Sequence, residues 1–339
     1  MAAAEPSFSA PTVVAVVVGL AAAALACTHW PPSSSQPATW LATLPVLPAT
    51  DASICVVQYD DRSDAELASL GIIGLPRRNA ATCVGDCDYK FIRRPLFDAP
   101  PYWQKVAAVR QSLLRGCRSA IFLDTDVALQ QPPSALARQF GSSDAFITAD
   151  HASIRLNYGD AAHSPFIASV FGIQSTAGGL AMADSWLRQY TPGAWRRTPH
   201  ASASSEERAA ARWECAGGRS ACQWAVGRAY EQGSFVSTIL PAHAARMVRV
   251  DAVQLNSPCQ SAAELSEALA CHFSPKAMAS VFVCDMPRPG ELECTCNGEA
   301  VRMPARGAHG AAAGIDECRR EMIANYLRLL DGVGDGAAG

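Results

Sequence analysis

The chain has 339 residues, enough for one large α/β domain or two ordinary ones. Hydrophobic residues make up 49% of it, which allows a sizeable core, and the formal net charge is −3. Because there is no basic excess, no nucleic-acid partner is expected. The 13 cysteines include no pair of Cys-x-x-Cys units, which favours disulfides and an oxidising compartment over a zinc site. Free buried cysteines are the competing interpretation, because Cys55 and Cys117 lie in apolar or helical contexts.

An uncharged apolar run occupies residues 11–26. It is short for a membrane-spanning helix and long enough for the core of a signal peptide, with Ala24-Leu25-Ala26 as a candidate cleavage site. No Lys or Arg precedes it, which is unusual for a signal peptide and for an anchor, and an Ala-rich buried helix is a third interpretation. We interpret residues 1–27 as a signal peptide or signal anchor, with residues 12–27 available for membrane anchoring. This predicts the secretory pathway, either as a type II Golgi membrane protein facing the lumen or as a secreted protein.

Residues 28–50 contain five prolines in a Ser/Thr/Ala background, which is typical of an extended stem. The folded domain is expected to occupy residues 51–283. It begins with a β-branched run at residues 53–58, which is predicted to be its first strand. Residues 64–70 predict a helix that ends at a glycine. Residues 75–101 are expected to be turn-rich and basic.

The clearest predicted helix begins at Pro101 and ends before Gly116, with apolar residues at helical spacing. A strand, Ile121 to Leu123, follows directly, and this helix–strand succession favours a mainly parallel sheet. Asp124 and Asp126 come next. Side chains two apart on a strand face the same way, so both carboxylates can address one cation, and such oxygens suit Mg²⁺ or Mn²⁺ held together with a diphosphate. A simple polar turn is the alternative.

The rest of the chain alternates apolar runs with polar segments. Strands are predicted at residues 145–148, 247–250 and 253–256, and an apolar run at 165–173 leads to a helix with Leu180, Ala183, Trp186, Leu187 and Tyr190 facing inward. Residues 196–212 predict a mobile surface loop or lid, and residues 220–230 a short helix that carries Gln223. Residues 284–339 are expected to be a Cys-containing tail with few strands and a terminal helix.

This order of elements, over roughly residues 53–283, resembles the nucleotide-sugar glycosyltransferases of GT-A fold. Within this fold it looks closest to the retaining galactosyl/xylosyl-transferase group. In that family one helix carries Trp-x-Lys, here Trp103-Gln104-Lys105, and the next strand ends in Asp-x-Asp. A later strand reads Asn-Ala-Gly-Val-Phe, an acidic–Gln pair opens a following helix, and a late histidine with a nearby lysine closes the site. The implied fold is a Rossmann-like, mainly parallel sheet flanked by helices.

The resemblance also implies a reaction. A hexosyl or pentosyl group would move from a nucleotide-diphospho-sugar to a glycan or glycoprotein acceptor, with retention of configuration and with Mn²⁺ or Mg²⁺ as cofactor. Asp126 would bind the metal directly, Asp124 would face both ribose and metal, and His272 would be the third protein ligand. The remaining implied contacts are to the donor: Tyr59 and Asp60 to the base, Lys105 and Lys276 to the diphosphate, and Gln223 to the sugar, with Gln223 and Lys105 as the catalytic residues.

The chain departs from the family pattern at three places. Ile167-Ala168-Ser169 stands where Asn-Ala-Gly is usual, Cys222 precedes Gln223 where an acidic residue is usual, and the interval between His272 and Lys276 is short and contains Pro275. These departures keep open a secreted, glycosyltransferase-like binding protein without turnover. A phosphatase of the haloacid-dehalogenase type also places Asp-x-Asp after an apolar strand, but there the motif sits near the front of its domain.

Overall fold

The computed structural model describes residues 39–149, 166–197, 213–218, 221–223, 227–259, 261–273, 282–288, 291–296 and 299–304, together with residues 320, 323, 324, 326 and 327. Described residues from Trp40 onward belong to one unit. The predicted signal segment, residues 28–38 of the predicted stem, residues 198–212 of the predicted loop, and Lys276 lie outside the described residues. Within the described ranges, no helix combines the length and the apolarity that crossing a bilayer requires.

The central layer is a six-stranded sheet in the order β2-β1-β3-β6-β5-β9. The strands of the described residues are β1 (Ile54–Tyr59), β2 (Cys87–Ile92), β3 (Ser119–Leu123), β4 (Val127–Leu129), β5 (Ala145–Ala149), β6 (Phe166–Gln174), β7 (Trp195–Arg196), β8 (Glu214–Cys215), β9 (Met247–Val250), β10 (Ala270–His272), β11 (Phe282–Arg288), β12 (Glu291–Cys296) and β13 (Glu299–Pro304). In the central sheet only β6 runs antiparallel to its neighbours. The predicted α/β class with a mainly parallel sheet is therefore confirmed.

Helices of the described residues flank this sheet. They are α1 (Asp64–Ser69), α2 (Gly74–Thr82), α3 (Pro101–Leu114), α4 (Pro133–Ala137), α5 (Ala177–Leu187), α6 (Glu231–Ser234), α7 (Leu240–His243), α8 (Ala252–Leu255) and α9 (Ala262–Glu267). Short 3₁₀ turns occur at Thr39–Thr43, Arg138–Phe140, Pro192–Ala194 and Ala244–Arg246, and Phe235–Ile239 forms a π-helical turn between α6 and α7.

The helix α3 forms where the sequence predicts it because both of its ends carry strong signals. Proline stands at its first turn, where the missing N–H costs nothing. Gly116 follows its last turn with φ of +119°, and a Cβ there would lie 2.8 Å from the carbonyl oxygen of Thr50. The helix packs against β1, β3 and α5, and Trp103 and Val106 are fully buried. Each such side chain contributes about 1.5–3 kcal/mol to folding.

Aromatic side chains fill the layer between the sheet and α5. Phe122 of β3 stacks on Phe171 of β6 with centroids 5.5 Å apart. Trp186 of α5 packs on Phe171 at 5.0 Å and on Phe235 at 4.6 Å. Of the predicted inward residues, Ala183, Trp186 and Leu187 are buried in the helix and Tyr190 is buried just past its end, whereas Leu180 is only half-buried.

The prediction of turns for residues 75–101 is wrong, since this region contains α2 and β2. The helix α2 buries Leu75, Pro76 and Asn79, a set with little helical apolar periodicity. The strand β2 lies at the edge of the sheet and all six of its residues are only half-buried. Neither element therefore carries the continuous apolar signal of a central strand or an amphipathic helix.

Three later predictions also need correction. Residues 253–256 are not a strand, because residues 253–255 belong to α8, whose start is capped by the side chain of Asp251 accepting a hydrogen bond from Val253 N. The described residues within 220–230 lie in turns rather than in a helix. The tail has more strand than expected, because β11, β12 and β13 pair as an antiparallel sheet.

Four disulfides join described residues and confirm the disulfide interpretation of the cysteine content. They are Cys55–Cys117, Cys83–Cys87, Cys215–Cys222 and Cys259–Cys271. Cys55 and Cys117 are fully buried, as the free-cysteine interpretation expected, but they are bonded to each other. That alternative is therefore wrong for this pair.

Opening the Cys55–Cys117 bond is expected to destabilise the domain by about 4 kcal/mol. The bond spans 62 residues between β1 and the segment that leads into β3, so it restricts a large loop of the unfolded chain. The measurement is denaturant unfolding of the Cys55→Ala/Cys117→Ala variant beside the wild type, with the Cys83→Ala/Cys87→Ala variant, whose bond spans only 4 residues, as the matched control. Equal losses in both variants would contradict the expectation.

Candidate metal and donor site

The acidic pair lies on a turn that leaves the sheet at the carboxyl end of β3. Asp124 N donates to Ser169 O of β6 at 2.8 Å, and Val127 N donates to Asp124 O at 3.0 Å. The side chains of Asp124 and Asp126 remain 32% and 20% exposed. The backbone of the turn is thus fixed while both carboxylates can be reached from solvent.

Two buried side-chain amides, Gln58 of β1 and Asn79 of α2, support the same turn. Gln58 Nε2 donates to Asp124 O at 2.8 Å, and Gln58 Oε1 accepts from Asn79 Nδ2 at 3.1 Å and from the Tyr89 hydroxyl. Asn79 also donates to Val127 O at 2.8 Å. Because Gln58 and Asn79 are fully buried and bonded at both ends of their amides, the turn has one well-defined position.

A second, two-stranded sheet brings His272 to this turn. The strand β4 follows the acidic pair directly and pairs antiparallel with β10, with Val127 opposite His272. Phe273 N donates to Asp126 O at 2.9 Å, and His272 Nε2 lies 3.4 Å from Asp126 Oδ1. Ligand atoms of Asp124, Asp126 and His272 all lie within 4.8 Å of one another. The predicted metal residues therefore converge from distant parts of the chain.

The chemistry of these three side chains fits a divalent cation. Two carboxylates supply hard oxygen ligands and one imidazole supplies a nitrogen ligand, a mixture suited to Mn²⁺ and acceptable to Mg²⁺. Held by these three side chains of the described residues, such an ion keeps positions for ligands from a substrate. When bound, it would supply positive charge beside a diphosphate.

Lys105 of α3 lies between two carboxylates. Its Nζ is 2.9 Å from Asp124 Oδ1, 3.3 Å from Glu231 Oε1 and 3.2 Å from the carbonyl oxygen of Ala168. Burial alone would lower the pKa of Lys105, but the charges of Asp124 and Glu231 outweigh it and raise that pKa well above its ordinary value. The ammonium is therefore a permanent positive charge beside the acidic pair.

Glu231 and Gln232, at the start of α6, are site residues that the sequence argument missed. Glu231 is 1% exposed and Gln232 is fully buried, and Gln232 Oε1 accepts from Ala168 N at 3.1 Å. Burial raises the pKa of Glu231, an effect that Lys105 opposes. Among the described residues, Glu231 Oε2 and Gln232 Nε2 are buried without a hydrogen-bond partner, so both have capacity left for a ligand or water.

The sequence prediction places the family's acidic–Gln position at Cys222-Gln223, where the acidic residue is absent, whereas in the structure Glu231-Gln232 opens a helix. Cys222 is bonded to Cys215, and Gln223 is exposed. The sequence signal at Glu231-Gln232 was present, but a helix predicted across residues 220–230 hid the true helix start. The structure therefore offers Glu231-Gln232 as a second candidate for this position, beside Gln223.

Two of the other predicted donor residues, Tyr59 and Asp60, lie close to the acidic pair at the end of β1. Tyr59 and Asp60 are buried at the carboxyl end of β1, and Tyr59 O accepts from the hydroxyl of Thr125 at 3.3 Å. Asp60 pairs with Arg62 at 2.6 Å. Their contact with a base stays a prediction, as does the role of Gln223, and Lys276 lies outside the described residues.

No protein-family model and no curated protein matches this sequence. Among solved structures, similar folds include a glycosyltransferase involved in the glycosylation of the major capsid of PBCV-1, at 12% identity, with 65% of this chain and 93% of that chain covered and a TM-score of 0.43. Mouse xyloside xylosyltransferase 1 has 11% identity, 60% and 87% coverage and a TM-score of 0.32. The galactosyltransferase LgtC has 10% identity, 78% and 95% coverage and a TM-score of 0.30.

All three TM-scores lie below 0.5. The fold is therefore assigned from the sheet, the helices and the position of the acidic pair in this chain. The sheet is mainly parallel, helices flank it, and Asp-x-Asp follows the carboxyl end of an inner strand, as the sequence predicted. The antiparallel direction of β6 is an addition that the structure makes. The GT-A fold predicted from the resemblance is accordingly confirmed.

Proposed function

We propose that this protein is a metal-dependent glycosyltransferase that takes a hexosyl or pentosyl group from a nucleotide-diphospho-sugar. The observation that carries the proposal is the convergence of Asp124, Asp126 and His272 within 4.8 Å at the carboxyl end of β3, with both carboxylates partly exposed. Ligands bind at this end of the strands in open α/β sheets. The acceptor class that we propose is a glycan or glycoprotein.

The side chains around the acidic pair suit the departure of a nucleoside diphosphate. Negative charge builds up on the leaving group, and fixed positive charge near it lowers the barrier. Lys105 supplies such a charge in a buried setting, held 2.9 Å from Asp124. Gln232 and Glu231 add hydrogen-bonding capacity next to Lys105, as a sugar with several hydroxyl groups requires. Retention of configuration is part of the proposal and is read from the anomeric form of the product.

The proposal is tested by incubating the purified protein with a panel of nucleotide-diphospho-sugars and measuring nucleotide release with Mn²⁺, with Mg²⁺ and with EDTA. Release from at least one donor, lost in EDTA, is expected. Silence across the panel with nucleotide and metal still bound would favour the binding protein without turnover. Release of phosphate from phosphomonoesters would favour the phosphatase.

Variants of Gln223 and Gln232 distinguish the two candidates for the acidic–Gln position. Gln232→Ala is expected to lower nucleotide release on the order of 10²-fold, because Gln232 holds the Ala168 amide beside Lys105 and small displacements at a reacting centre are costly. Gln223→Ala, the matched control at an exposed position, is expected to retain activity within about twofold of wild type. Kinetics of the two variants with the best donor measure this. The opposite ranking would restore the assignment to Gln223.

We also propose that the protein reaches an oxidising compartment through the secretory pathway. Four disulfides among the described residues support this, because such bonds are rare in reducing compartments.

A further inference from the structure

A short segment, residues 256–259, holds His272 on the side away from the acidic pair. His272 N donates to Ser257 O at 2.8 Å. A disulfide joins Cys259 to Cys271, the residue that precedes His272 in β10. The side chain of His272 is only 4% exposed. Protein contacts, rather than water, therefore determine the orientation of the ring and which ring nitrogen carries the hydrogen.

Asn256 makes the contact that matters most for the ring. Its side chain is almost fully buried, and its Oδ1 lies within hydrogen-bonding distance of His272 Nδ1. A neutral imidazole has one donor nitrogen and one acceptor nitrogen. Because an amide oxygen can only accept, a neutral ring held by that oxygen carries its hydrogen on Nδ1 and presents the lone pair of Nε2.

That lone pair faces a second acceptor. His272 Nε2 lies 3.4 Å from Asp126 Oδ1, and a neutral imidazole nitrogen without hydrogen repels a carboxylate oxygen unless a cation binds both. The arrangement is the one by which metal-bound histidines are generally oriented, with the non-ligating N–H given to an oxygen acceptor.

We propose that Asn256 is a positioning residue that fixes His272 in the Nδ1–H form and so presets Nε2 as a ligand for the divalent cation. The proposal rests on the metal assignment in the proposed function and adds to it the residue that selects the tautomer. If Asn256 instead donated its amide N–H to Nδ1, Nε2 would carry the hydrogen, donate to Asp126 and be unable to bind a metal.

Two variants of similar size separate these cases. Asn256→Asp keeps an oxygen acceptor and, when ionised, cannot donate, whereas Asn256→Leu keeps the branched shape and removes the hydrogen bond. Mn²⁺ binding to the protein without nucleotide sugar is measured by electron paramagnetic resonance of the free ion. We expect the dissociation constant of Asn256→Leu to rise about 10–100-fold and that of Asn256→Asp to stay at or below the wild-type value. Weakening in the Asp variant as large as in the Leu variant would overturn the proposal.

A measurement on the wild type keeps the proposal testable even if Asn256→Leu fails to fold. Long-range ¹H–¹⁵N spectra of ¹⁵N-histidine-labelled, metal-free protein report which ring nitrogen carries the hydrogen, with His272 identified by its missing signal in His272→Gln. The Nδ1–H form is expected, and an Nε2–H form would overturn the proposal. Wild-type protein that binds no Mn²⁺ would overturn the metal assignment as well, whereas normal Mn²⁺ binding in Asn256→Leu would overturn the role of Asn256 alone.

Discussion

Replacing Asp126 by alanine is expected to reduce metal-dependent nucleotide release by about 10³-fold or more. The substitution removes one of two carboxylates from the three-residue metal site. A cation bound there would stabilise the charge of the leaving group by several kcal/mol. Each 1.36 kcal/mol of lost transition-state stabilisation is tenfold in rate. The fold is expected to survive, because the side chain is partly exposed and the backbone carbonyl of Asp126 still accepts from Phe273 N.

Nucleotide release and Mn²⁺ affinity, measured on the same preparation, check this expectation. Asp51→Ala, which removes an exposed carboxylate before β1, is the matched control and is expected to behave as wild type. Unchanged turnover in Asp126→Ala would end the metal assignment. A loss of turnover with unchanged Mn²⁺ affinity would separate catalysis from metal binding and would also contradict it.

Replacing Lys105 by methionine is expected to lower both activity and stability. The ammonium lies between Asp124 and Glu231, and its removal leaves Glu231, at 1% exposure, without its partner. Breaking a buried ion pair in this way costs about 3–5 kcal/mol. Loss of the positive charge beside the leaving group is expected to lower turnover on the order of 10³-fold.

The stability loss should depend on pH. Burial already raises the pKa of Glu231, and without Lys105 that pKa rises further. A carboxyl group whose pKa is higher in the folded state than in the unfolded state makes stability fall as pH rises through the interval between the two values. The denaturant midpoint of Lys105→Met should therefore lie further below the wild-type midpoint at pH 8 than at pH 5.

Two further variants make the Lys105 prediction specific. Lys90→Met applies the same change to a lysine that is 43% exposed and paired with Asp88 at 3.6 Å, and it should cost at most about 1 kcal/mol. Adding Glu231→Gln to Lys105→Met should restore part of the lost stability and flatten the pH dependence, because the uncompensated carboxylate is gone. Equal losses in the two lysine variants would mean that Lys105 is not a buried counter-ion.

The sequence by itself determined the elements whose signals are local. The helix Pro101–Leu114 carries proline at its start and glycine past its end, and the strand before Asp124 is continuously apolar, so each could be assigned from a short window. The acidic pair followed from its position after that strand. The histidine was a candidate only through the order of motifs, since one isolated histidine has no local signature of metal binding.

Tertiary structure alone decided which distant residues meet. His272 reaches Asp126 because β10 pairs with β4, Glu231 reaches Lys105 because α6 begins beside α3, and each cysteine pair depends on how its two elements pack. The sequence also did not predict the edge strand β2, because its half-buried residues form no continuous apolar run. Its strand conformation depends on pairing with β1. Apolar periodicity indicates which face of an element is buried. Pairing between separate elements depends on contacts across the whole chain, and these contacts form only when the sheet assembles.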